Sequence, residues 1–303
     1  MDVSIIIVNY NCDQFLANCL NSIYNKTQGL DFEIIVVDND STDQSIANTR
    51  LAYPGVKIIE NKKNLGFGGA NNIGAQFASG KYLLLLNPDT ILENNALKHF
   101  VDFAQSIQDE MGCCGGNLLD EFMQPANLGG NFPSLFQQFS DIGFRIFYPK
   151  FYKRKVSLLM TINDLVDTNQ IDCICGANLF IKKTVFDELS GFDEDYFLYY
   201  EDTDLCYRLK AKGYKNYIVK EANITHLESV IISDSKAEKL NLRKFGFSEK
   251  SKQLFFKKSY GQLSVWVVKL FTVFNILVRL IAHKGNIKTY LKMIFISLKM
   301  KSN

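Results

Sequence analysis

Apolar runs of isoleucine, valine and leucine alternate with helical patterns over the first 115 residues. The runs lie at 3–8, 32–37, 56–59, 81–87 and 111–114, and the helical patterns lie near 13–24, 42–52, 68–78 and 91–107. Apolar runs without polar alternation are typical of strands that are buried on both faces, as in parallel sheets covered by helices. Strands joined by helices of about 10–15 residues form βαβ units. The pattern therefore predicts an open, mostly parallel α/β sheet.

Polar clusters follow three of these strands at the point where each strand ends. They are Asn9-Tyr10-Asn11, Asp38-Asn39-Asp40-Ser41 and Asn87-Pro88-Asp89-Thr90. Ligands of open α/β sheets bind beyond the carboxyl ends of the strands, so we expect a ligand cleft at this edge. Each cluster also has a local interpretation, since Ser41 with Gln44 resembles a capping box and Pro88-Asp89 suits a turn. Three clusters at one edge favour a cleft over three independent caps.

A glycine-rich segment, NKKNLGFGGANNIG (61–74), opens the third predicted helix. Gly66, Gly68 and Gly69 would let backbone amides approach a ligand closely, and a helix N-terminus attracts phosphate. The GxGxxG spacing of the dinucleotide fingerprint is absent, and so is the Lys-Ser/Thr ending of a P-loop. The segment predicts a ligand contact without identifying the ligand.

Three acidic residues crowd the start of a predicted helix in the segment GFDEDYFLYYEDTDLCYRLKAKGY (191–214). They are Glu201, Asp202 and Asp204. Acids in a first helical turn are stabilised by about 0.3–1 kcal/mol each, so an over-capped surface helix is one interpretation. Three acids in four positions exceed what capping needs. Such a cluster repels itself unless a cation, a substrate hydroxyl or a sugar lies nearby.

The charge distribution separates the body of the chain from its C-terminal end. The chain has 303 residues, a net charge of +2, 47% hydrophobic and 22% charged residues. These values are typical of a globular protein with one large domain and an appendage, or two small domains. Eleven basic residues and no acidic residue follow Glu249. An acidic body with a basic, apolar tail indicates a negatively charged partner for the tail.

The cysteines indicate the redox compartment. The seven residues, at 12, 19, 113, 114, 173, 175 and 206, are odd in number and show no metal-binding spacing. This usage predicts a reducing, cytosolic compartment. Because the first strand begins at Val3, we also expect no signal peptide.

The tail contains a strongly apolar stretch at 261–284. Its longest uncharged run, 270–278, has nine residues, well short of the roughly 20 that span a bilayer. A single polar stripe at helical spacing is formed by Lys269, Thr272, Asn275, Arg279 and His283. The stripe predicts a helix in the membrane interface with its basic residues on anionic headgroups, and 289–301 repeats the pattern.

The tail also has interpretations that do not involve a membrane. The alternative to a membrane is that the tail packs on the rest of the chain or on a dimer partner. The basic residues accompany long aliphatic side chains rather than a DNA- or RNA-binding motif, so no nucleic acid partner is expected.

An aromatic stretch lies between the acidic body and this tail. Residues 132–155 contain eight aromatic side chains and end in Lys153, Arg154 and Lys155. Positions 132, 136, 139, 147 and 151 fall on one helical face, which predicts a helix packed into the core. The alternative is an aromatic and basic ridge that touches a membrane surface or a lipid-linked acceptor.

Taken together, these motifs resemble the inverting glycosyltransferases of family 2, in particular the bacterial rhamnosyltransferase-like branch. The matching segments occur in the family's order and span roughly residues 3–230. They are SIIIVNYN (4–11), VVDNDSTD (36–43), NLGFGGANN (64–72), LLLLNPDT (83–90), CGANLFIKK (175–183) and 191–214, with His226 downstream. The resemblance implies the nucleotide-sugar-binding fold called GT-A, here with a C-terminal amphipathic helical tail.

The resemblance also implies a donor site at the strand ends. The turn from Val8 to Asn11, together with Asp38, would hold the nucleobase and ribose, and the segment 64–69 with Asn72 would line the nucleotide-sugar cleft. The full implied set is Val8, Asn9, Tyr10, Asn11, Asp38, Asp40, Asn64, Gly66, Gly68, Asn72 and Asn87.

Metal and base assignments follow from the same resemblance. Asp89 stands where the family's Asp-x-Asp motif binds its cation, and His226 would be a further ligand of Mg²⁺ or Mn²⁺. Asp202 would be the general base that takes the proton of the acceptor hydroxyl, with Glu201 and Asp204 in support. One departure is Asn87, an amide where many relatives carry a carboxylate.

We therefore expect a GT-A domain at 1–230, with a nucleotide-sugar half at 1–115 and an acceptor half at 116–230, followed by a membrane-associated tail at 231–303. The expected activity is inverting transfer of a sugar, rhamnose as the leading choice, from a dTDP- or UDP-sugar to a lipid-linked or growing glycan. The expected location is the cytoplasmic face of the cell membrane.

Two other classes of protein are considered. A catalytically impaired sugar-binding or scaffold relative is the alternative that Asn87 suggests. A nucleotidyltransferase would need a glycine-rich basic loop where Asn9-Tyr10-Asn11-Cys12 stands, and the chain has none there.

Overall fold

Four parallel strands form the N-terminal half of the central sheet, as the apolar runs predict. The computed structural model describes residues 1–107, 110–165, 169–227, 237–282 and 287–299. The strands in this part of the chain are β1 (Val3–Asn9), β2 (Phe32–Asp38), β3 (Lys57–Glu60), β4 (Tyr82–Leu86), β5 (Thr90–Leu92), β6 (Met111–Leu119), β7 (Gly129–Gly130), β8 (Gln170–Ile171), β9 (Cys173–Ile174), β10 (Asn178–Lys182) and β11 (Lys215–His226).

Helices connect and cover these strands. They are α1 (Asp13–Lys26), α2 (Ser45–Ala52), α3 (Gly66–Gln76), α4 (Ala96–Ser106), α5 (Leu135–Asp141), α6 (Pro149–Lys155), α7 (Lys183–Glu188), α8 (Glu201–Ala211), α9 (Ala237–Tyr260), α10 (Gln262–Ala282) and α11 (Ile287–Lys299). The predicted α/β architecture with a C-terminal helical tail is confirmed.

The second half of the sheet is mixed. The strand order is β3-β2-β1-β4-β10-β6-β11-β5, with β8 beside β11. The late strand β10 runs antiparallel between β4 and β6, while β6 and β11 run parallel. Because β10 begins where β4 ends, the chain around 175–178 lies next to the polar cluster at 87–90. The stacked rings of Tyr82, Phe100 and Phe180 fill the core beside β4 and β10.

Two sequence predictions of helices are wrong. The predicted helix at 91–107 begins only at Ala96, because Thr90–Leu92 is a strand that pairs antiparallel with the end of β11. The predicted helix over 132–155 is divided into α5, a short 3₁₀ helix at Phe144–Phe147, and α6. Gly143, with φ of 127°, breaks it, since other residues avoid this conformation.

The break at Gly143 leaves much of the aromatic stretch on the surface. Ile146 and Phe147 are 72% and 77% exposed, and Phe136, Phe144 and Phe151 are also exposed. The expected core-packed face therefore does not form. Phe139 instead contacts the ring of Phe271 on α10 and so joins this region to the tail.

A buried polar network ties the three tail helices together. Glu249 on α9 accepts hydrogen bonds from Gln253 and from Ser297 on α11, at 3.0 and 3.1 Å. Lys252 forms an ion pair with Glu249 at 2.6 Å and donates to Thr272 of α10 at 2.8 Å. We call these five residues the tail network. Buried polar groups that are satisfied in this way fix how helices pack, because leaving one unpaired is costly.

The predicted polar stripe of α10 faces the protein rather than solvent over most of its length. Lys269 and Thr272 are both only 7% exposed, and Asn275 approaches the backbone oxygen of Asp141. Arg279 is exposed, and His283 lies outside the described residues. The expected contact of Lys269 and Thr272 with headgroups is therefore wrong, because α9 and α11 supply their partners.

The opposite side of α10 is apolar and exposed. This apolar tail face consists of Leu263, Trp266, Leu270, Phe274, Leu277 and Ile281. Ile287, Leu291, Phe295 and Leu298 of α11 are exposed as well. Among the described residues, the segment Gln262–Ile281 is long and apolar enough to cross a membrane by length and composition.

Candidate active site

The ends of β1 and β2 are joined through the side chain of Asn9. Asn9 is fully buried, and its Nδ2 lies 2.8 Å from Asp38 Oδ1, 3.0 Å from Ser41 Oγ and 2.7 Å from Ser45 Oγ. Asp38 Oδ2 in turn accepts from the backbone N of Ser41 at 3.0 Å. Ser41 therefore serves this cluster rather than capping α2, which begins after Gln44 without a side-chain cap. The predicted capping box is wrong.

The exposed rim of this cluster holds the remaining predicted donor residues. Tyr10 is 50% exposed, and Asn11 and Asp40 are exposed at φ of 54° and 69°. Asn11 Oδ1 accepts from the backbone N of Thr42 at 2.8 Å, so the loops after β1 and β2 fix one another. The hydrophobic Val8 is buried beneath them. The structure thus brings the first two predicted clusters together at one sheet edge.

Asn39, which the sequence prediction did not select, connects this edge to the glycine-rich segment. Its Nδ2 donates to the backbone O of Gly66 at 3.0 Å, and its Oδ1 accepts from Asn61 Nδ2 at 3.0 Å. Asn64 accepts from the backbone N of Gly66 at 2.8 Å. The segment 61–66 is therefore held against the end of β2 by amide side chains.

The two predicted metal ligands meet at the third polar cluster. Strand pairing places Thr90 opposite His226, and the backbone N of Leu227 donates to the O of Asp89 at 2.9 Å. As a result, His226 Nε2 lies 3.3 Å from Asp89 Oδ1. The two side chains are only 11% and 10% exposed.

The chemistry of this pair fits a divalent cation whose remaining ligands come from a substrate. A carboxylate oxygen and an imidazole nitrogen are ligands that Mn²⁺ accepts. The described part of the chain holds no group of three or more His, Cys, Asp or Glu residues arranged for a metal. Two protein ligands would leave several positions of such an ion for diphosphate oxygens.

Asp202 is held at the start of α8 by backbone amides. Its Oδ2 accepts from the N of Gly176 at 2.8 Å, and its Oδ1 accepts from the N of Thr203 at 2.6 Å. Burial raises the pKa of Asp202, and these hydrogen bonds oppose the rise. A side chain on residue 176 would meet this carboxylate, since a Cβ there would lie 3.3 Å from Asp202 Oδ2.

Glu201 has a different environment from its neighbour. It is 6% exposed, and its Oε2 is buried without a hydrogen-bond partner in the described structure. Burial, reinforced by the charge of Asp202, raises the pKa of Glu201 to about 8. The two neighbouring carboxyl groups therefore differ in their surroundings: burial and the charge of Asp202 favour the protonated form of Glu201, whereas the hydrogen bonds from Gly176 and Thr203 favour the ionised form of Asp202.

Asp204 supports the backbone that precedes α8 rather than joining the other two acids. Its Oδ2 accepts from Arg208 Nε at 2.7 Å, and the same guanidinium donates to the backbone oxygens of Leu189 and Gly191, both at 2.9 Å. Burial raises the pKa of Asp204, and the Arg208 charge opposes this.

Gly66 and Gly68 of α3 leave room for the chain before α8. A Cβ on Gly66, whose φ is 78°, would lie 2.0 Å from the backbone O of Phe197. A Cβ on Gly68 would lie 2.9 Å from Phe192. The amide N of Phe67 donates to that same oxygen of Phe197 at 3.3 Å. The amide of Phe67 thus contacts the chain before α8, while the expected approach of a ligand to the glycine amides of this segment stays a prediction.

Asn72, like Gly66 and Gly68, contacts the chain before α8. Its Oδ1 accepts from the backbone N of Phe192 at 2.8 Å and its Nδ2 donates to the O of the same residue at 2.9 Å. Both ends of the amide thus bind the protein backbone. Asn72 ties α3 to the chain before α8 and is not brought to the ends of β1 and β2.

The end of β4, which precedes Asp89, is hydrogen bonded to the chain before β10, which holds Asp202. The backbone N of Asn87 donates to the O of Ala177 at 2.9 Å, next to the residue whose amide holds Asp202. Asp202 also lines a cavity of about 300 Å³. Its walls include Asn127, Tyr199 and Ser248 of α9.

Sequence reasoning missed several residues that fix this site. Arg208 lies four positions after Asp204, a spacing that predicts an ion pair on a helix. Gly176 acts through its backbone amide, and Asn39 is one of many surface-type amides. Neither leaves a signal in a single sequence. Their roles become evident in the structure, where the fold brings each of them next to its partner.

Comparison with known proteins places the chain in a family. The family model described as Glycosyl transferase family 2 matches residues 4–189. Poly(ribitol-phosphate) beta-glucosyltransferase of Bacillus spizizenii is 34% identical over 116 residues, 37% of this chain and 18% of that protein. N-acetylglucosaminyl-diphospho-decaprenol L-rhamnosyltransferase of Mycobacterium tuberculosis is 25% identical over 237 residues, 73% of this chain and 75% of that protein. The chain thus spans under a fifth of the first relative's length.

Solved structures share the fold. The crystal structure of GalNAc-T7 with UDP, GalNAc and Mn²⁺ matches 100% of this chain and 55% of that chain, with a TM-score of 0.62 and 16% identity. At this identity the likeness concerns the fold alone. It confirms the GT-A architecture that the sequence motifs predict.

Proposed function

The chain belongs to glycosyl transferase family 2 and is a glycosyltransferase, and from this premise we propose that it transfers a sugar with inversion from a nucleoside diphosphate donor to a lipid-linked or growing glycan. One observation carries the proposal. The carboxylate of Asp202 is fixed by the Gly176 amide and lines a cavity of about 300 Å³, while Asp89 and His226 lie together at the neighbouring strand end.

Asp202 is the proposed general base. The acceptor hydroxyl gives its proton to this carboxylate as its oxygen forms a bond to the anomeric carbon, and the bond from that carbon to the diphosphate oxygen breaks. A single displacement of this kind inverts the anomeric centre. Holding donor and acceptor in line supplies a large part of the rate.

Asp89 and His226 are the residues proposed to hold a divalent cation. When bound, such an ion stabilises the negative charge of the leaving diphosphate. The relative of known structure that contains Mn²⁺ together with UDP supports this choice of ion. Asn87 remains beside the pair as a neutral amide.

The donor is proposed to lie over the ends of β1 and β2. Both carboxylate oxygens of Asp38 are already hydrogen bonded within the protein, so we assign Asp38 and Asn9 to shaping the cleft. Tyr10, which is half exposed at the rim, offers a ring for the nucleobase. A thymidine or uridine diphosphate sugar is the proposed donor, and rhamnose is the leading sugar because a relative covering 73% of the chain is an L-rhamnosyltransferase.

The acceptor is proposed to enter the cavity beside Asp202. A volume of about 300 Å³ accommodates a sugar unit, and the polar Asn127 with the ring of Tyr199 offers the contacts that sugars use. The lipid-linked nature of the acceptor is supported by the relative that acts on a diphospho-decaprenol substrate. In this proposal residues 1–115 serve the donor and 116–230 mainly serve the acceptor.

The protein is proposed to work in the cytoplasm at the inner face of the cell membrane. The apolar tail face and the exposed apolar residues of α11 form a surface that lipid would cover. Lys150, Arg154 and Lys155 on the nearby α6 would meet anionic headgroups. All seven cysteines are free thiols, in keeping with a reducing compartment.

A ligand screen by thermal shift tests the proposal. Purified protein is heated with nucleoside diphosphates and nucleotide sugars, with and without Mn²⁺. A donor present at about 100 times its Kd should stabilise the native state by about 2.7 kcal/mol. A cation-dependent shift with one thymidine or uridine diphosphate sugar, followed by transfer to a lipid-linked acceptor, is the expected result. Folded protein that responds to none of these compounds would contradict the proposal.

A further inference from the structure

The chain immediately before Glu201 and Asp202, which we call the acid pair, has an unusual backbone conformation. Tyr199 and Tyr200 both have positive φ, at 68° and 69°, and they lead directly into Glu201 and Asp202. Bulky residues rarely adopt this left-handed conformation, and two in succession are rarer still. Such strain persists only where the surrounding structure holds it, and it concentrates at functional sites. Contacts from two helices hold the segment 193–200.

Helix α9 holds this segment along its whole length. Lys258 forms ion pairs with Asp193 and, at 2.7 Å, with Asp195. Ser251 Oγ donates to the backbone O of Leu198 at 2.9 Å, immediately before the two strained tyrosines. These contacts fix the start and the end of the segment from one helix.

Aromatic packing reinforces the polar contacts. Tyr196 is fully buried in a small core with Phe255, Phe256 and Val268. Phe255 also packs on the ring of Tyr200, with centroids 5.7 Å apart. The strained tyrosine nearest to the acid pair therefore rests directly on α9.

The segment is held from the opposite side by α3. The backbone O of Phe197 accepts from the N of Phe67, and Gly66 leaves the space for this approach. The segment thus lies between α3, which belongs to the sheet domain, and α9, which the sequence assigns to the tail.

We infer that α9 is a positioning element of the active site and that Lys258 and Ser251 set the placement of Asp202 through the strained turn at Tyr199 and Tyr200. The inference rests on the proposed role of Asp202 as the base. Neither residue touches the acid pair, so both act through the backbone that carries it. The tail network fastens α9 to α10 and α11, so the C-terminal helices contribute to the geometry of the reaction centre.

The test compares Lys258→Met and Ser251→Ala with wild type in steady-state kinetics. A small displacement of a reacting group can cost about 100-fold in rate, so we expect kcat to fall by about tenfold or more in each variant. The KM for the donor should stay within about twofold, since donor contacts lie elsewhere. Lys258→Arg keeps the ion pairs and should restore most of kcat.

A matched control separates positioning from general stability. Lys98 forms an exposed ion pair with Asp102 on α4, away from the site, so Lys98→Met removes an equivalent lysine pair. Loss of the Gly176 hydrogen bond to Asp202 would raise the pKa of that carboxyl. The acid limb of the kcat–pH profile should therefore move to higher pH in Lys258→Met and Ser251→Ala, but not in Lys98→Met.

The outcomes are distinct. Wild-type protein without transferase activity on any donor would count against the proposed function itself. Active wild type with kcat within about twofold in both Lys258→Met and Ser251→Ala would overturn the inference. The inference would also be overturned if kcat fell only in step with the melting temperature and the acid limb of the kcat–pH profile stayed at its wild-type position. If one variant fails to fold, the other still decides the question.

Discussion

His226 Nε2 lies 3.3 Å from Asp89 Oδ1 because β5 and β11 pair antiparallel and set Thr90 opposite His226. The contact joins two residues that are far apart in the sequence. Both side chains are about nine-tenths buried, so neither is an incidental surface residue. The pair therefore gives the first prediction.

Asp89→Ala and His226→Ala should remove the dependence of donor binding on a divalent cation. In wild type, Mn²⁺ with the donor should raise the melting temperature more than the donor alone, and in the variants the increment should vanish. His99→Ala serves as the histidine control, since His99 lies on α4 and is not part of this pair. Unchanged Mn²⁺ increments in both variants would contradict the metal assignment.

Asp202→Asn and Glu201→Gln form a matched pair of isosteric changes. General base catalysis contributes about 10²–10⁴-fold, so Asp202→Asn should lower kcat by that order while donor affinity is retained. Glu201 is buried and protonated at neutral pH, so Glu201→Gln should keep kcat within about tenfold of wild type. Steady-state kinetics with calorimetric donor binding measure both effects. Turnover of Asp202→Asn near the wild-type level would show that another group is the base.

Glu201 should also make stability depend on pH. Its native pKa of about 8 lies above that of an unfolded glutamate, so between these values the native state binds more protons and stability falls as pH rises. Glu201→Gln cannot ionise and should lose this dependence. The free energy of unfolding of Glu201→Gln minus that of wild type should be larger at pH 8.5 than at pH 5, by roughly 2–4 kcal/mol. Denaturant unfolding at several pH values is the measurement, and parallel pH curves for the two proteins would refute the prediction.

Gly66→Ala should destabilise the protein far more than Gly29→Ala. Both glycines have positive φ, at 78° and 72°, but only Gly66 has a neighbour in the way, the backbone O of Phe197. Gly29→Ala should cost about 1–2 kcal/mol from the left-handed conformation alone. Gly66→Ala adds a clash with backbone and should cost about 3 kcal/mol or more, with a loss of kcat. Equal losses in chemical denaturation would mean that the chain at 197 moves aside freely.

Serine at Trp266, Leu270 and Phe274 should weaken binding to lipid without unfolding the protein. All three side chains are exposed on the apolar tail face, at 64%, 67% and 49%. Each buried side chain contributes about 1.5–3 kcal/mol, so partial burial of three should make the triple variant bind at least about 100-fold more weakly. Sedimentation with vesicles of phosphatidylcholine and phosphatidylglycerol measures the partition.

A control for this experiment is Leu51→Ser, which changes an 85% exposed leucine on α2. Binding of Leu51→Ser should match wild type. A triple variant that sediments with vesicles as well as wild type would exclude the apolar tail face as the lipid contact.

The sequence predicts the sheet well where local pattern and tertiary structure agree. Runs such as Ile5–Ile7 and Leu83–Leu86 are buried on both faces, so apolar residues appear without alternation and mark the strands. The polar clusters were also predicted at one edge, because parallel strands end on the same side. Prediction from the sequence fails where pairing with a strand that is distant in the sequence decides the secondary structure. Thr90–Leu92 continues a helical pattern in sequence but pairs with β11.

The candidate site was predictable in its residue types and less so in their roles. Asp202 and Glu201 are adjacent in sequence, yet only the position of Gly176 and the burial of Glu201 separate their chemistry. The tail shows the same limit. A stripe of Lys269 and Thr272 on an apolar helix fits a membrane interface or a buried network equally well, and Lys252 and Glu249 on another helix decide between them.

The tail network has a consequence for how the protein would leave and rejoin a lipid surface. Glu249, Lys252, Gln253, Thr272 and Ser297 bond to one another inside the helical layer, so docking would leave these internal hydrogen bonds in place. The side chains that change their surroundings are the exposed apolar ones and the basic ones of α6. We therefore expect attachment to be rapid and reversible. The fraction of protein bound should depend on the lipid composition and the ionic strength at that moment, and not on how the chain was first synthesised.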